Sequence, residues 1–388
     1  MRDQTNLRTF AVALAALPVI LLASCSDDKK SEPPTPVVEV VTIQLSPATV
    51  SLEPGKEATL TATIAPDDAT DKTLEWSSAN ASIAEVDAKG AVSAKAQGTT
   101  TITATASNGV KGTATVTVFD PTDIPIPDAK FKASLLDQIT HAHPDKISLE
   151  EAKAVPGINC EGQGIESLEG IQFFENLAKL TCRNNALTNI DVSSLTNLED
   201  LSCENNALTT LDVSSLTKLE SLDCSDNLSL TELTLGDLPN LEYIICDGTS
   251  LTKLDISHLA KLKYLFCGGQ SLAELTLGEM PNLTEFSLYE SAFSKLDVSR
   301  LTGLELLRIE DNHSLVELTL GNSPKIAKLS FENTVLTKLD VSGLAELSLL
   351  ICRNSSLLTE LWFQDKAQKD RVRVMQIDSK DIIRYHNE

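Results

Sequence analysis

Aromatic residues are scarce, at 4% of 388 residues, which argues against a core built mainly on large rings. Positive charge is scarce too. Lys and Arg number 32 against 55 Asp and Glu, a formal net charge of -23. Phosphate backbones and anionic membrane surfaces are therefore poor partners. Chemistry-bearing motifs are missing: no Gly-x-Ser-x-Gly elbow, Walker loop, His-Glu-x-x-His pair or dinucleotide fingerprint occurs. The acids of the C-terminal half are spread along the chain rather than paired, so neither an enzyme nor a cofactor is expected. Cysteine is absent from residues 38–119, which excludes an intradomain disulfide there.

What is present starts with an export signal. Arg2 and Arg8 flank the start of FAVALAALPVILLAS, which ends at Cys25. The run is short for a membrane span and sits where a signal peptide belongs. Its end, LASC at Leu22 to Cys25, resembles a bacterial lipobox. The resemblance implies residues 1–24 as a cleaved signal and Cys25 as the lipid attachment site. Residues 25–37, with SDDKKSEPPTP, are charged and Pro-rich and read as a disordered tether. Ser26, Asp27 and Asp28 resemble signals that carry lipoproteins to the outer membrane and its outer face.

Residues 38–119 alternate Val, Thr, Ala and Ile in short runs such as VVTIQL, EATLTATI and GTATVTV, separated by EPGK, DAKG and SNG. Six to eight short strands in about 80 residues make a β-sandwich, with Trp76 as the expected core aromatic. Trp76-Ser77-Ser78, Ile83 to Asp87, Gly90 and Gly98-Thr99-Thr100 resemble the bacterial Ig-like group 2 family. Such domains serve as spacers or adhesive modules, and spacer is the reading preferred.

From Cys160 onward one pattern recurs every 21 or 22 residues. Its ladder positions are Cys160, Cys182, Cys203, Cys224, Cys246, Cys267, Leu288, Ile309, Phe331 and Cys352. Where cysteine is replaced the substitutes are large and apolar, so the position is buried and the thiols are free, reduced and inert. One cysteine per rung cannot build a tetrahedral metal site. The period and the LxxLxCxxNxL spacing resemble the leucine-rich repeat family, in the cysteine-bearing form of internalin-type surface proteins. That resemblance implies a solenoid over residues 158–361 with a parallel β-sheet. It also implies a buried ladder of Asn185, Asn206, Asn227 and Asn312. The alternation of LDVS and LTLG segments has a period of about 43 residues and suggests a second narrow parallel sheet.

Residues 120–157 are expected to form a linker and a short helical N-terminal cap, from the spacing of Phe131, Leu135 and Ile139 and from Ser148 to Ala154. Within them HAHPDKISLEE lacks acidic groups at the early positions a calcium loop needs. His141 and His143 fit a surface loop. Residues 362–388 are expected to close the other end, with Trp362 over the core. The fold class expected is thus mainly β.

On the sheet's outward face most rungs are polar. The exceptions are Tyr243, Ile245, Tyr264, Phe266 and Tyr289, bordered by Asp223, Asp247, Glu285 and Glu290. An exposed aromatic patch is an interaction site by default. The alternative is an aromatic ladder that stiffens the sheet. The reading reached is a non-catalytic surface lipoprotein whose repeat face binds a protein partner. Glycan capture and an envelope scaffold are the alternatives.

Overall fold

The computed structural model describes residues 37–387 apart from Asn322, Gln376, Asp378 and Ser379. The export signal, Cys25 and most of the tether lie outside the described residues.

Nine short strands fill Thr42 to Val118. Four form one sheet, in the spatial order Thr49–Leu52, Lys111–Val118, Gly98–Ala106, Leu74–Ser78; Glu57–Thr59, Ala91–Ala94 and Ala84–Val86 form another. Thr42–Ser46 pairs with Thr61–Ala65. Burial has the strand period of two. Ile102, Ala104 and Ala106 face inward, as do Ala114, Val116 and Val118 on the neighbouring strand, while the threonines between them face out. Small side chains let the layers approach closely, which explains how the domain folds with so few rings. Trp76 is only partly buried, at the margin of this core. Alanines fill the middle, and the expected core aromatic packs against them with its indole on Gly90.

Past this domain the chain enters a second core. Phe119 packs edge-on against Phe173, with ring centroids 4.6 Å apart. Helix α1 (Ala129–Gln138) is N-capped by Asp128, which accepts from Lys130 and Phe131 N–H. The other oxygen of Asp128 accepts from Glu166 and Ser167 N–H, tying the helix start to the first repeat. Helix α2 (Leu149–Lys153) opens with a Ser148–Glu151 capping box. Phe131, Leu135, Leu149 and Ala152 share one apolar core with the repeats.

The repeats stack into an eleven-stranded parallel sheet running from Gly157–Asn159 to Arg373–Met375. Equal repeat length keeps the register. Leu180, Leu201, Leu222, Ile244, Leu265, Phe286, Leu307, Leu329 and Leu350 fall opposite one another. All are buried, as are the ladder residues two positions on. The seven cysteines of the ladder are free thiols. Burial pushes Cys160 and Cys246 up to about 12. It holds Cys182, Cys203, Cys224 and Cys267 well above the usual thiol range. Packing, not reactivity, is their role.

After each ladder residue the chain must leave the strand sharply. Two positions on, φ is positive at Gly162, Asn184, Asn205, Asp226, Gly248, Gly269, Glu290, Asp311, Asn333 and Asn354. Gly, Asn and Asp tolerate that conformation best. One residue further stands the asparagine ladder. Asn185 Nδ2 donates to the carbonyls of Cys160 and Cys182 at 2.8 and 2.9 Å. Its Oδ1 accepts from Gln163 and Ile165 N–H. Asn206, Asn227 and Asn312 repeat the pattern. Thr334 occupies the same position, 4% exposed, and its hydroxyl has no partner among the described residues. Thr334→Asn is expected to extend the ladder by one rung and stabilise the chain by about 1 kcal/mol. Urea denaturation checks this; a destabilised variant would mean that the site cannot accept the longer amide.

The second sheet differs from expectation. It is not one ribbon but separate small sheets: Thr210–Asp212 with Glu232–Thr234, Lys253–Asp255 with Glu274–Thr276, and Lys295–Asp297 with Glu317–Thr319. A final group joins Lys338–Asp340, Glu360–Phe363 and Ile383–Tyr385. The period of about 43 residues is the cause. Each LDVS strand pairs forward with the next LTLG strand, whose Gly236, Gly278 or Gly321 lies hard against Ser214, Ser257 or Ser299. The Asp of LDVS turns onto its own chain instead. Asp191, Asp212, Asp255, Asp297 and Asp340 each accept from the N–H of the serine two residues on.

The C-terminal region also departs from expectation. Leu361 and Phe363 are the buried residues of their strand, and Trp362 points outward. Its indole lies 4.8 Å from the His386 ring and donates to Glu360. Arg373–Met375 and Ile383–Tyr385 continue the parallel pairing past Leu361, around α3 (Lys366–Arg371).

Candidate functional site

The outward face of the long sheet has three columns, set by strand alternation. The first carries Lys179, Asp200, Ser221, Tyr243, Tyr264, Glu285 and Leu306 in register. The second carries Thr181, Ser202, Asp223, Ile245, Phe266, Ser287 and Arg308. In the third, Gly268, Tyr289 and Glu310 pair in turn, and Asp247 stands one residue past Cys246 on the rung before them.

Tyr243 lies over Tyr264, with ring centroids 4.5 Å apart and planes within 4°. Tyr243 is 41% exposed; Tyr264, Ile245, Phe266 and Tyr289 are half-buried. Ile245 and Phe266 sit side by side in the next column. Four of the five sequence-selected residues thus form one block on two rungs. Tyr289 stands apart, in the third column, opposite Gly268.

Sequence reasoning passed over two neighbours. Ser287 is fully buried although it belongs to an outward column, and its hydroxyl is unpartnered among the described residues. Gly268 leaves no room for a side chain: a Cβ there would meet the Tyr289 carbonyl. The Gly268-Gly269 pair was the signal in the sequence.

Negative charge gathers on the N-terminal side of the block. Asp247 is half-buried, and burial, with Asp226 and Asp223 close by, raises its carboxyl above the ordinary range. Burial likewise raises Glu204, with Asp223 adding repulsion and Arg183 opposing it. Arg183 is held between Glu161 at 2.7 Å and Glu204 at 3.3 Å. Lys263 is held by Glu242 at 2.7 Å. Among the described residues no Lys or Arg lies within ion-pair distance of Asp223, Asp226 or Asp247.

Other features resolve into structure. Glu151 accepts from Ala142 and Ser148 N–H and so closes the His141–His143 loop onto α2. A cavity of about 380 Å³ lies where the second sheet is interrupted, lined by Leu275, Phe293, Lys295, Asp297 and Arg300. Lys295 there is paired with Glu317, and Asp297 caps Ser299. No group of three His, Cys, Asp or Glu side chains among the described residues is placed to hold a metal ion.

Comparison with known proteins agrees with the fold. The bacterial Ig-like domain (group 2) family matches residues 39–118. Over 78 residues the chain is 42% identical to lacto-N-biosidase of Bifidobacterium bifidum, covering 20% of this chain and 7% of that protein. Over 76 residues it is 43% identical to an Ig-like virion protein of Serratia phage KSP90, covering 19% of this chain and 30% of that one. The chain therefore spans only a minor part of these relatives, and the enzymes among them match through partial Ig-like domains. Among solved structures, the functional domain of InlJ from Listeria monocytogenes, which includes a cysteine ladder, is similar with a TM-score of 0.51 and 28% identity. That likeness covers 64% of this chain and 59% of that structure. The chain is mainly β: an Ig-like domain of group 2, then a parallel β-solenoid resembling an internalin repeat with a cysteine ladder.

Proposed function

We propose that this protein is a surface-anchored, non-catalytic binding or adhesion module whose repeat face contacts a protein partner. Ig-like and internalin-like domains are typical of cell-surface proteins, and the export signal with its lipobox-like LASC supplies an anchor at Cys25. The lipid would hold the chain on the outer membrane, with the tether and Ig-like domain as spacers. Anchoring is tested by Cys25→Ala, which is expected to move the protein out of the membrane fraction or to leave its signal uncleaved. A variant cut correctly and still membrane-bound would remove the lipoprotein reading.

One observation carries the binding reading: the Tyr243–Tyr264 stack beside Ile245 and Phe266 on a largely polar sheet face. Rings this large, half-exposed and clustered, are what partner proteins bury at hot spots.

Replacing Tyr264 and Phe266 together with serine is expected to leave the solenoid folded, because neither points inward. It should weaken binding of a co-purifying protein partner by roughly 2 kcal/mol or more, measured by calorimetry. A lower melting temperature with unchanged affinity would instead assign the rings to stiffening of the sheet.

A further inference from the structure

We propose that the occupant of this face is a cationic segment of a protein, whose arginine or lysine stems lie across Ile245 and Phe266 with their charged ends on Asp223 and Asp247. This rests on reading the face as an interaction surface. It adds the chemistry of the partner.

The placement follows from the register. Asp223 is paired with Ile245, and Asp247 lies two residues beyond Ile245, one past the end of that strand. Rungs are about 4.8 Å apart, and residues two apart on one strand are separated by roughly 7 Å. Both carboxylates are therefore within one side chain's reach of the apolar pair. Long basic side chains suit that path, since their alkyl stems cover apolar surface while the head stays polar. The tyrosine stack on the other flank offers an aromatic face to a guanidinium.

Charge complementarity points the same way. Asp223 and Asp226 stand close enough to Asp247 to oppose its charge, none of the three has a basic partner within ion-pair distance among the described residues, and the nearby Arg183 and Lys263 are already engaged. Asp223 does accept from Ser225, but that leaves its charge in place. Like charges held together on a half-buried surface are relieved by an incoming cation. The solenoid as a whole adds a long-range field. From Glu161 to Glu360 it carries 30 Asp and Glu against 13 Lys and Arg, which steers cationic partners toward it and repels acidic ones.

The test uses the full chain and two short synthetic peptides of equal length, one alternating arginine with leucine, the other glutamate with leucine. The arginine peptide should bind, and raising the salt from about 50 to 300 mM should weaken it several-fold. The double variant Asp223→Asn/Asp247→Asn should lose about tenfold in affinity for it. Tyr264→Ser/Phe266→Ser should lose at least as much. Melting curves of both variants should stay close to the parent's.

If the glutamate peptide binds as well, or the Asp→Asn pair changes nothing while the aromatic pair still weakens binding, the cationic assignment is overturned and the interaction face stands. If neither variant changes peptide binding, both readings fall. Preferential retention of a neutral oligosaccharide at the tyrosines would overturn the proposal in favour of a sugar ligand.

Discussion

Urea denaturation across a pH series is expected to show stability that is level up to about pH 8 and then collapses above about pH 9. The buried thiols are the cause. Unfolded thiols ionise near pH 8.5. In the folded solenoid, Cys160 and Cys246 hold their protons to about 12, and Cys182, Cys203, Cys224 and Cys267 hold theirs well above the usual range. Between those limits the unfolded chain has released protons that the folded chain retains. Rising pH therefore favours unfolding, and falling pH below the unfolded value costs nothing further. At about pH 9.5 each thiol that ionises only on unfolding costs the folded chain on the order of 1 kcal/mol, so the six together remove several kcal/mol. That is comparable to the whole stability of an ordinary domain.

The measurement has an internal control. Cys203→Ala leaves a small void and should cost about 1–2 kcal/mol at neutral pH. It should also make the alkaline fall shallower by one proton. Thiol reagents should find the ladder unreactive until denaturant is added. A chain whose stability stays flat to pH 10 or so would mean that its thiols are reached by water, contrary to their burial.

Much of this architecture could be read before the structure, because repetition averages away local ambiguity. A single buried cysteine is uninformative. One replaced on other rungs by Leu288, Ile309 and Phe331 declares an apolar site. The positive-φ position was equally present, since Gly, Asn or Asp fills nearly every copy and only Glu290 departs.

Trp362 shows where pattern reading slips by one residue. In LTELWF, Leu361 and Phe363 take the places of the two leucines in the LTL segments, and Trp362 takes that of the outward threonine. In a strand, one position reverses the face. The interruption of the second sheet was not readable in the same way, since the hydrophobic pattern is unbroken there. The pairing stops between each LTLG strand and the LDVS strand that follows it. The face was readable as a set of residues. The repeat spacing also placed Tyr243 over Tyr264; the plane-to-plane stacking of their rings came only from the structure.

Asn227→Ala is expected to destabilise the solenoid by about 3 kcal/mol, more than most single substitutions. Asn227 is completely buried. Its Nδ2 donates to the carbonyls of Cys203 and Cys224 at 3.1 and 3.0 Å, and its Oδ1 accepts from Leu208 N–H at 3.1 Å. Cys203 keeps a second donor in Asn206. The Leu208 N–H and the Cys224 carbonyl lose the Asn227 side chain, in a site too enclosed for water to replace it. Each buried polar group so orphaned costs about 1–3 kcal/mol. Asn227→Thr should cost less, because the next rung already works with Thr249, whose hydroxyl donates to Cys246 at 3.0 Å. Asn227→Asp should cost more at neutral pH than alanine does, although it is nearly isosteric: it sets a buried negative charge against two carbonyl oxygens. The order Thr, Ala, Asp in equilibrium unfolding therefore separates hydrogen bonding from packing, since a pure packing role would rank aspartate as the mildest change. The consequence for the face is direct. Asn227 braces the turn of the rung that immediately precedes Tyr243, so loosening it should disturb the stacked tyrosines before it unfolds the chain. Peptide binding by Asn227→Ala should accordingly fall at temperatures where its circular dichroism is still native, and equal loss of both signals would place Asn227 in the global core alone.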